Sequence, residues 1–192
     1  MKKILLILGH PDKDSLCGGL ADEYQAGAKD AGCVLERLNV SDLDFDPVLH
    51  KGYKVIQELE PDLKRAQELI LWSEHMVFVY PTWWATMPAL FKGFIDRVFL
   101  PSFAFKYHDD DPWWERLLDG RSARMITTMD APKLYFWIAY RGAGHNAMKR
   151  ATLYFCGIKP VGITTFDRVG SSTPEQREKW RAKVRGLGKQ GA

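Results

Sequence analysis

Short apolar runs alternate with helical patterns along the whole chain, and this alternation constrains the fold more than any other feature. The first run, KKILLILG, is continuously apolar from Ile4 to Leu8 and ends at Gly9, as expected for a strand buried on both faces. Later strands are predicted at Val34–Val40, Met76–Tyr80, Ala123–Thr128 and Val161–Phe166. Helices are predicted at Ser15–Ala31, Pro61–Trp72, Pro88–Phe99 and His145–Phe155, and after Thr173. The pattern predicts βαβ units, a parallel sheet and therefore an α/β fold.

The composition is that of a globular protein with a small positive charge. With 192 residues and 46% hydrophobic content, the chain is predicted to form a single domain over residues 1–192. The net charge of +3 suits an anionic small-molecule ligand, but no basic run marks a nucleic-acid partner. No segment is long enough to span a bilayer, so no membrane insertion is expected. The three cysteines lack metal-ligand spacing, which predicts reduced thiols, a cytoplasmic protein and no metal site.

Ligands of open parallel sheets bind outside the carboxyl ends of the strands, so the segments that follow the strands are the candidate site. The first strand is followed by GHPDKDSLCGGL, in which His10 and Ser15 can donate to phosphate oxygens at the start of a helix. Lys13 could balance the phosphate charge, whereas Asp12 and Asp14 oppose an anion unless they point outward. In the alternative interpretation, Asp14 or Ser15 only caps the helix.

The stretch YPTWWATMPALFKGF follows the third strand and is the most distinctive in the chain. It combines adjacent tryptophans with Thr82, Thr86 and the amides of a turn, a surface that suits a planar heteroaromatic ligand. The alternative is a hydrophobic turn that packs in the core or at a dimer interface. The segment TTMDAP, residues 127–132, follows the fourth strand and adds hydroxyls and amides at the same edge of the sheet.

In this order, the segments resemble those of the NAD(P)H:quinone reductases of the flavodoxin-like superfamily, the DT-diaphorase-like enzymes. The resemblance rests on GHPDKDSLCGGLADE, FDPVLH, YPTWWATMPALFKGFIDRVFLPSFAF and FCGIKPV, and it extends to about Val169. It implies a flavodoxin-like three-layer α/β/α fold with a five-stranded parallel sheet in the order 2-1-3-4-5. It also implies non-covalently bound FAD or FMN, and a homodimer with the flavin at the subunit interface.

The resemblance assigns flavin contacts to each segment. The phosphate-binding residues would be His10, Ser15, Leu16 and Cys17. The isoalloxazine ring would lie against Pro81, Thr82, Trp83, Trp84 and Ala85, and its pyrimidine end near Thr127, Thr128, Met129 and Asp130. The chain departs from the family at Cys17, where Asn is usual, and at the last loop, where many members carry Thr-Gly-Gly. Side chains in that loop keep the backbone farther from a ligand than glycines would.

The residues that orient the substrate follow the last loop, in TTMDAPKLYFWIAYRGAGH. The family's Tyr and His at this place do not align cleanly with the chain, and Tyr135, Tyr140 and His145 are the candidates. Packing against a partner subunit is the alternative for all three. Trp113 and Trp114 are either further walls of the substrate pocket or part of a surface loop packed onto the core.

The resemblance implies a flavin-dependent NAD(P)H:quinone oxidoreductase. NADPH or NADH would deliver hydride to the flavin and leave, and a quinone-like acceptor would then use the same pocket, which predicts ping-pong kinetics. One alternative is a flavodoxin-type electron carrier, but those proteins are typically acidic and this chain is not. Another is an ancillary or regulatory flavoprotein that docks on a membrane transport system, and a third is a scaffold that has lost the cofactor.

Overall fold

The computed structural model describes residues 1–108, 110 and 112–191. The strands are β1 Lys3–Leu8, β2 Val34–Asn39, β3 His75–Pro81, β4 Phe105–Tyr107, β5 Trp114–Arg116, β6 Ser122–Thr128 and β7 Val161–Phe166. Five of them form a sheet in the order β2-β1-β3-β6-β7, in which every neighbouring pair is parallel. Counted along the chain among the sheet strands alone, this is the order 2-1-3-4-5. The predicted fold class is confirmed.

The helices are α1 Leu16–Asp30, α2 Pro61–Trp72, α3 Ala89–Val98, α4 Lys133–Tyr140, α5 Ala143–Asn146 and α6 Pro174–Gln190. The helix predicted at His145–Phe155 is instead α5 followed by π-helical turns over Ala147–Tyr154. Helix α4 was not predicted. Its sequence KLYFWIAY has no polar stripe, so helical periodicity does not reveal it.

The core lies on both faces of the sheet, which makes three layers. Alternate residues of β1 point to opposite faces, so Leu6 packs with Tyr24 of α1 and Val184 of α6, while Ile7 packs with Phe91 of α3. Helices α1 and α6 approach each other backbone to backbone. A Cβ at Gly188 would overlap the carbonyl oxygen of Tyr24, so this contact needs glycine.

A fully buried arginine fixes the long segment between β2 and α2. The guanidinium of Arg97 on α3 is 0% exposed and donates to the carbonyl oxygens of Asp46 and Glu58. It also forms an ion pair with the Glu60 carboxylate at 2.8 Å. Gly93, one turn earlier on α3, lies directly against Pro47. The FDPVLH stretch is therefore bound to α3 by polar bonds and by close packing.

The segment between α3 and β6 contains the antiparallel hairpin β4–β5. The Trp114 ring stacks on Phe155 with the ring centroids 4.4 Å apart, and its indole N–H donates to the Phe155 carbonyl oxygen at 2.8 Å. Trp114 therefore attaches the hairpin to the core, which agrees with the interpretation of this segment as a surface loop packed onto the core. Within residues 1–108, 110 and 112–191, no helix is long and apolar enough to cross a membrane.

Candidate functional site

A cavity of about 180 Å³ opens at the carboxyl edge of the sheet, where β1, β3 and β6 end. It is lined by His10, Ser15, Leu16, Cys17, Pro81, Thr82, Trp83, Thr128, Met129, Asp130 and Val169. The strand order reverses between β1 and β3, which is where this sheet topology places its ligands. The structure thus brings together every predicted flavin-binding residue except Trp84, Ala85 and Thr127. We call this space the sheet-edge cavity.

The loop after β1 is organised by its own side chains. The Asp12 backbone N–H donates to His10 Nδ1 at 2.9 Å, so a neutral His10 carries its proton on Nε2 and can donate from that atom. Burial lowers the pKa of His10 and outweighs the opposing effect of Asp12. The Asp12 carboxylate accepts the Asp14 N–H at 2.9 Å, and neither acidic side chain lines the sheet-edge cavity. The two carboxylates therefore do not block an anion there.

Helix α1 presents its first turn to the sheet-edge cavity. Ser15 caps it by accepting the Gly18 N–H at 3.3 Å. The N–H groups of Leu16 and Cys17, in the first turn, have no acceptor within the helix. A Cβ at Gly18 would overlap the carbonyl oxygen of Lys13, so the loop can fold back onto the helix only over a glycine. Capping and anion binding are therefore compatible at this helix end.

Cys17 is a neutral thiol at this site. It is 1% exposed, its Sγ lies 3.3 Å from Thr128 Oγ1, and burial raises its pKa to about 12. A thiol with such a pKa is neither a nucleophile nor a redox centre at neutral pH. Its contact with Thr128 joins the first turn of α1 to the end of β6.

The turn after β3 has an unusual backbone. Trp83 and Thr86 exchange backbone hydrogen bonds at 2.8 and 3.0 Å, and the central residues Trp84 and Ala85 have φ of 49° and 60°. Positive φ at both central positions is the pattern of a type I′ turn. The Trp83 ring contacts His10 edge to face at 5.7 Å, whereas the Trp84 side chain is 98% exposed.

Thr82 is the residue that most clearly favours ligand binding in this cavity. Its backbone N–H already donates to the Thr128 carbonyl oxygen at 2.7 Å. Its Oγ1 is buried and finds no hydrogen-bond partner among the described residues. A buried hydroxyl without a partner is costly, and this one belongs to a residue that lines the sheet-edge cavity. A polar edge of a bound ring would satisfy it.

Most backbone amides near the cavity are already bonded. The Met129 N–H donates to the Phe166 carbonyl oxygen at 2.9 Å, and the Thr82, Trp83 and Thr86 amides are bonded as described above. Asp130 does not point its charge freely into the cavity, because its carboxylate accepts the Gly170 N–H at 2.7 Å. This bond fixes the loop that carries Met129 and Asp130.

The three candidates for orienting substrate do not line the sheet-edge cavity. Tyr135 and Tyr140 lie on the outer face of α4, with ring centroids 5.6 Å apart. A hydrogen bond with Tyr135 raises the pKa of Tyr140. His145 is 2% exposed, and its Nε2 lies 3.1 Å from Thr127 Oγ1. Thr127 is itself fully buried at the end of β6, behind the cavity.

Sequence reasoning missed one lining residue, Val169. It begins the short 3₁₀ turn Val169–Ser171 after β7, and its N–H donates to the Met129 carbonyl oxygen at 3.2 Å. The segment has no recognisable motif. It does follow a sheet strand at the same edge, so the strand-end rule applied to the fifth strand would have indicated it.

Comparisons with known proteins agree with the fold. A ribosyldihydronicotinamide dehydrogenase-like protein, traD, from Penicillium crustosum is 28% identical over 163 residues, which cover 70% of this chain and 60% of that protein. The ribosyldihydronicotinamide dehydrogenase [quinone] of Homo sapiens is 24% identical over 186 residues, covering 82% and 78%. The crystal structure of Smu.1420 from Streptococcus mutans UA159 superposes with a TM-score of 0.83 and 29% identity, covering 98% and 99%. A family model described as flavodoxin-like fold matches residues 2–187. The chain therefore belongs to this flavodoxin-like family.

Proposed function

We propose that the protein is a flavin-dependent NAD(P)H:quinone oxidoreductase. The observation that carries the proposal is the sheet-edge cavity, where a capped helix end and an aromatic turn meet the Thr82 hydroxyl, which has no partner in the described part of the chain. The relatives named above as quinone dehydrogenases support the reaction type. The cofactor would be FAD or FMN, held without a covalent bond, and the electron donor NADPH or NADH.

The residues present fit a flavin. The Leu16 and Cys17 amides, with His10 Nε2–H, would donate to its phosphate at the positive end of α1. Trp83 and Pro81 supply an apolar wall for the ring, and Thr82 Oγ1 would take a polar atom at its edge. Trp83 is 45% exposed, and a ring bound against it would cover this wall and exclude water.

When bound, the flavin supplies the capacity to accept hydride from a nicotinamide and pass it to an acceptor. The chain contributes position and electrostatics. The N–H groups of Trp84 and Ala85 lie at the tip of the turn and are not used in its two mutual backbone bonds. We assign them as the donors that would stabilise negative charge on a bound flavin. No side chain of the cavity needs to act as a nucleophile.

We include a homodimer in the proposal, because α4 exposes a large apolar surface. Its residues Leu134, Tyr135, Trp137, Ile138 and Tyr140 are each at least 40% exposed. Contiguous apolar surface of this kind is typical of an interface. A partner chain covering it would bring Tyr135 and Tyr140 into a shared pocket. The free thiols Cys17, Cys33 and Cys156 support a cytoplasmic location. The proposal also takes residues 1–192 as a single domain.

The dimer predicts a mass in solution of twice that of one chain. Ile138→Asp, placed in the α4 apolar surface, is expected to shift the protein to the monomer in light scattering coupled to size exclusion, because a charge there would lose its water on association. Leu71→Asp is the matched control, since Leu71 is 51% exposed on α2. A wild-type protein that is monomeric at micromolar concentration contradicts the dimer.

One pocket used in turn by the donor and the acceptor predicts ping-pong kinetics. Initial rates with NADPH and a soluble benzoquinone should give parallel lines in a double-reciprocal plot. Intersecting lines would show that both substrates bind together and would overturn the shared pocket. Very slow turnover with quinones, azo dyes, nitro compounds and free flavins alike would favour the ancillary-subunit alternative.

Trp84→Ala is expected to weaken flavin binding and quinone reduction while leaving the fold stable. The side chain is 98% exposed, so its loss should change the free energy of unfolding by no more than about 0.5 kcal/mol. The family resemblance places Trp84 against the isoalloxazine ring, so loss of this aromatic side chain should raise the flavin Kd about tenfold. Trp72→Ala is the control, because Trp72 precedes β3 and lies at the opposite edge of the sheet. Normal flavin affinity in Trp84→Ala would remove that residue from the site.

A further inference from the structure

We propose that Gly144 and His145 are positioning residues for the cofactor site, because they hold the turn of Trp83, Trp84, Ala85 and Thr86 from behind. The inference rests on the proposed function, since this turn is the wall and the amide source assigned to the flavin. Neither residue is proposed to touch the cofactor.

The turn needs support because its own sequence does not favour its shape. The φ values of Trp84 and Ala85, 49° and 60°, lie in the left-handed region. Type I′ turns usually place Asn and Gly at these positions, since a Cβ there crowds the following carbonyl oxygen. Residues held in such conformations persist only where the surrounding structure fixes them. The contacts behind the turn are therefore expected to determine its shape.

Gly144 of α5 supplies one of those contacts. A Cβ on Gly144 would overlap the Ala85 carbonyl oxygen and lie 2.8 Å from Thr86 Cα and 3.0 Å from Ala85 C. The α5 backbone is thus in direct contact with the backbone of the turn at Ala85, one of its two left-handed residues. Only glycine permits this approach.

His145 fixes α5 to the sheet. Its ring lies 3.1 Å from Thr127 Oγ1 and packs on Phe136 and Trp137 with centroid distances of 4.8 and 5.8 Å. Thr127 pairs in register with Tyr80, in the strand that leads into the turn. Burial, with a smaller contribution from Lys133, lowers the pKa of His145 to about 4, so the ring is neutral at pH 7. The turn that follows β3 therefore contacts α5, α5 is bonded to β6 through His145, and β6 pairs with β3.

Gly144→Ala tests the first contact. The added methyl group should displace the turn and raise the Kd for FMN or FAD, measured by quenching of flavin fluorescence, about tenfold or more. Gly186→Ala is the matched control, because a Cβ at Gly186 on α6 meets no atom within 4 Å. Its Kd should stay within about twofold of the wild-type value. Equal Kd values for the wild type and Gly144→Ala would overturn the proposal.

His145→Gln and His145→Leu test the second contact. Gln can keep a hydrogen bond to Thr127, so His145→Gln should retain most of the flavin affinity. Leu cannot make this bond, so His145→Leu should lose about as much flavin affinity as Gly144→Ala does. If His145 acted instead on the substrate, His145→Gln would lose turnover at unchanged flavin affinity. That outcome would overturn the positioning role and restore the catalytic one.

A measurement without flavin separates this proposal from the proposed function. In ¹H–¹⁵N spectra of the apoprotein, Gly144→Ala should shift the amide signals of residues 83–86, while Gly186→Ala should leave them unchanged. If the wild type binds no flavin yet these signals shift, the proposed function fails and the support of the turn by α5 stands. If the signals do not move, the support itself is refuted.

Discussion

Replacing Gly18 with alanine is expected to lower the affinity for flavin about a hundredfold, which corresponds to about 2.7 kcal/mol. The physical reason is a backbone clash, because the new Cβ would overlap the Lys13 carbonyl oxygen. Lys13 lies in the same loop as His10 and Ser15, so a shift of Lys13 would displace that loop. The donors assigned to the flavin phosphate would move with it. Flavin titration of the apoprotein measures the effect.

The neighbouring Gly19→Ala is the control for this prediction. A Cβ at Gly19 would meet only the flexible end of the Arg181 side chain at 3.4 Å, so its flavin Kd should change less than about threefold. Circular dichroism and the melting temperature establish whether each variant is folded. A folded Gly18→Ala protein with wild-type flavin affinity would contradict the assignment of the first loop to the phosphate.

Arg97→Ala is expected to reduce the free energy of unfolding by about 3–5 kcal/mol. The substitution leaves the Glu60 carboxylate and the carbonyl oxygens of Asp46 and Glu58 without their shared donor. It also opens a cavity where a fully buried side chain had been. Both effects should release the segment between β2 and α2 from α3. Urea unfolding, with the linear extrapolation and its slope reported, gives the difference.

Lys92→Ala on the same helix is the control for Arg97. Lys92 forms an exposed ion pair with Asp96 one turn away, and such pairs contribute about 0.3–0.5 kcal/mol. If Arg97→Ala reduced the free energy of unfolding as little as Lys92→Ala does, the arginine network would not be what fixes the segment between β2 and α2. A changed urea slope would instead indicate that the unfolding is no longer two-state.

The strands and the position of the candidate site could be predicted from the sequence because both depend on local patterns. Continuous apolar runs such as Ile4 to Leu8 mark strands buried on both faces, and parallel topology then brings the ends of β1, β3 and β6 to one edge. This reasoning placed His10, Trp83 and Thr128 around one cavity before any contact was known. The family resemblance added the strand order and the flavin that we propose as the ligand.

The remaining features depend on tertiary contacts that no local pattern encodes. Arg97 reads as a surface residue of an amphipathic helix, yet it is fully buried because its partners come from a distant loop. The left-handed backbone at Trp84 and Ala85 contradicts their intrinsic preferences and follows from the contact with Gly144. The expectation that Trp84 lines the isoalloxazine ring stays a prediction, since in a single chain its side chain faces solvent.

The most direct test of the central claim is the visible absorption spectrum of the freshly purified protein, before and after anaerobic addition of NADPH. The account predicts a flavin spectrum that bleaches when NADPH is added and returns when a quinone follows. A flavin spectrum that does not change with NADPH or NADH would contradict the enzyme and favour the carrier or regulatory alternatives. A colourless protein that cannot be reconstituted with FMN or FAD would contradict the cofactor site itself.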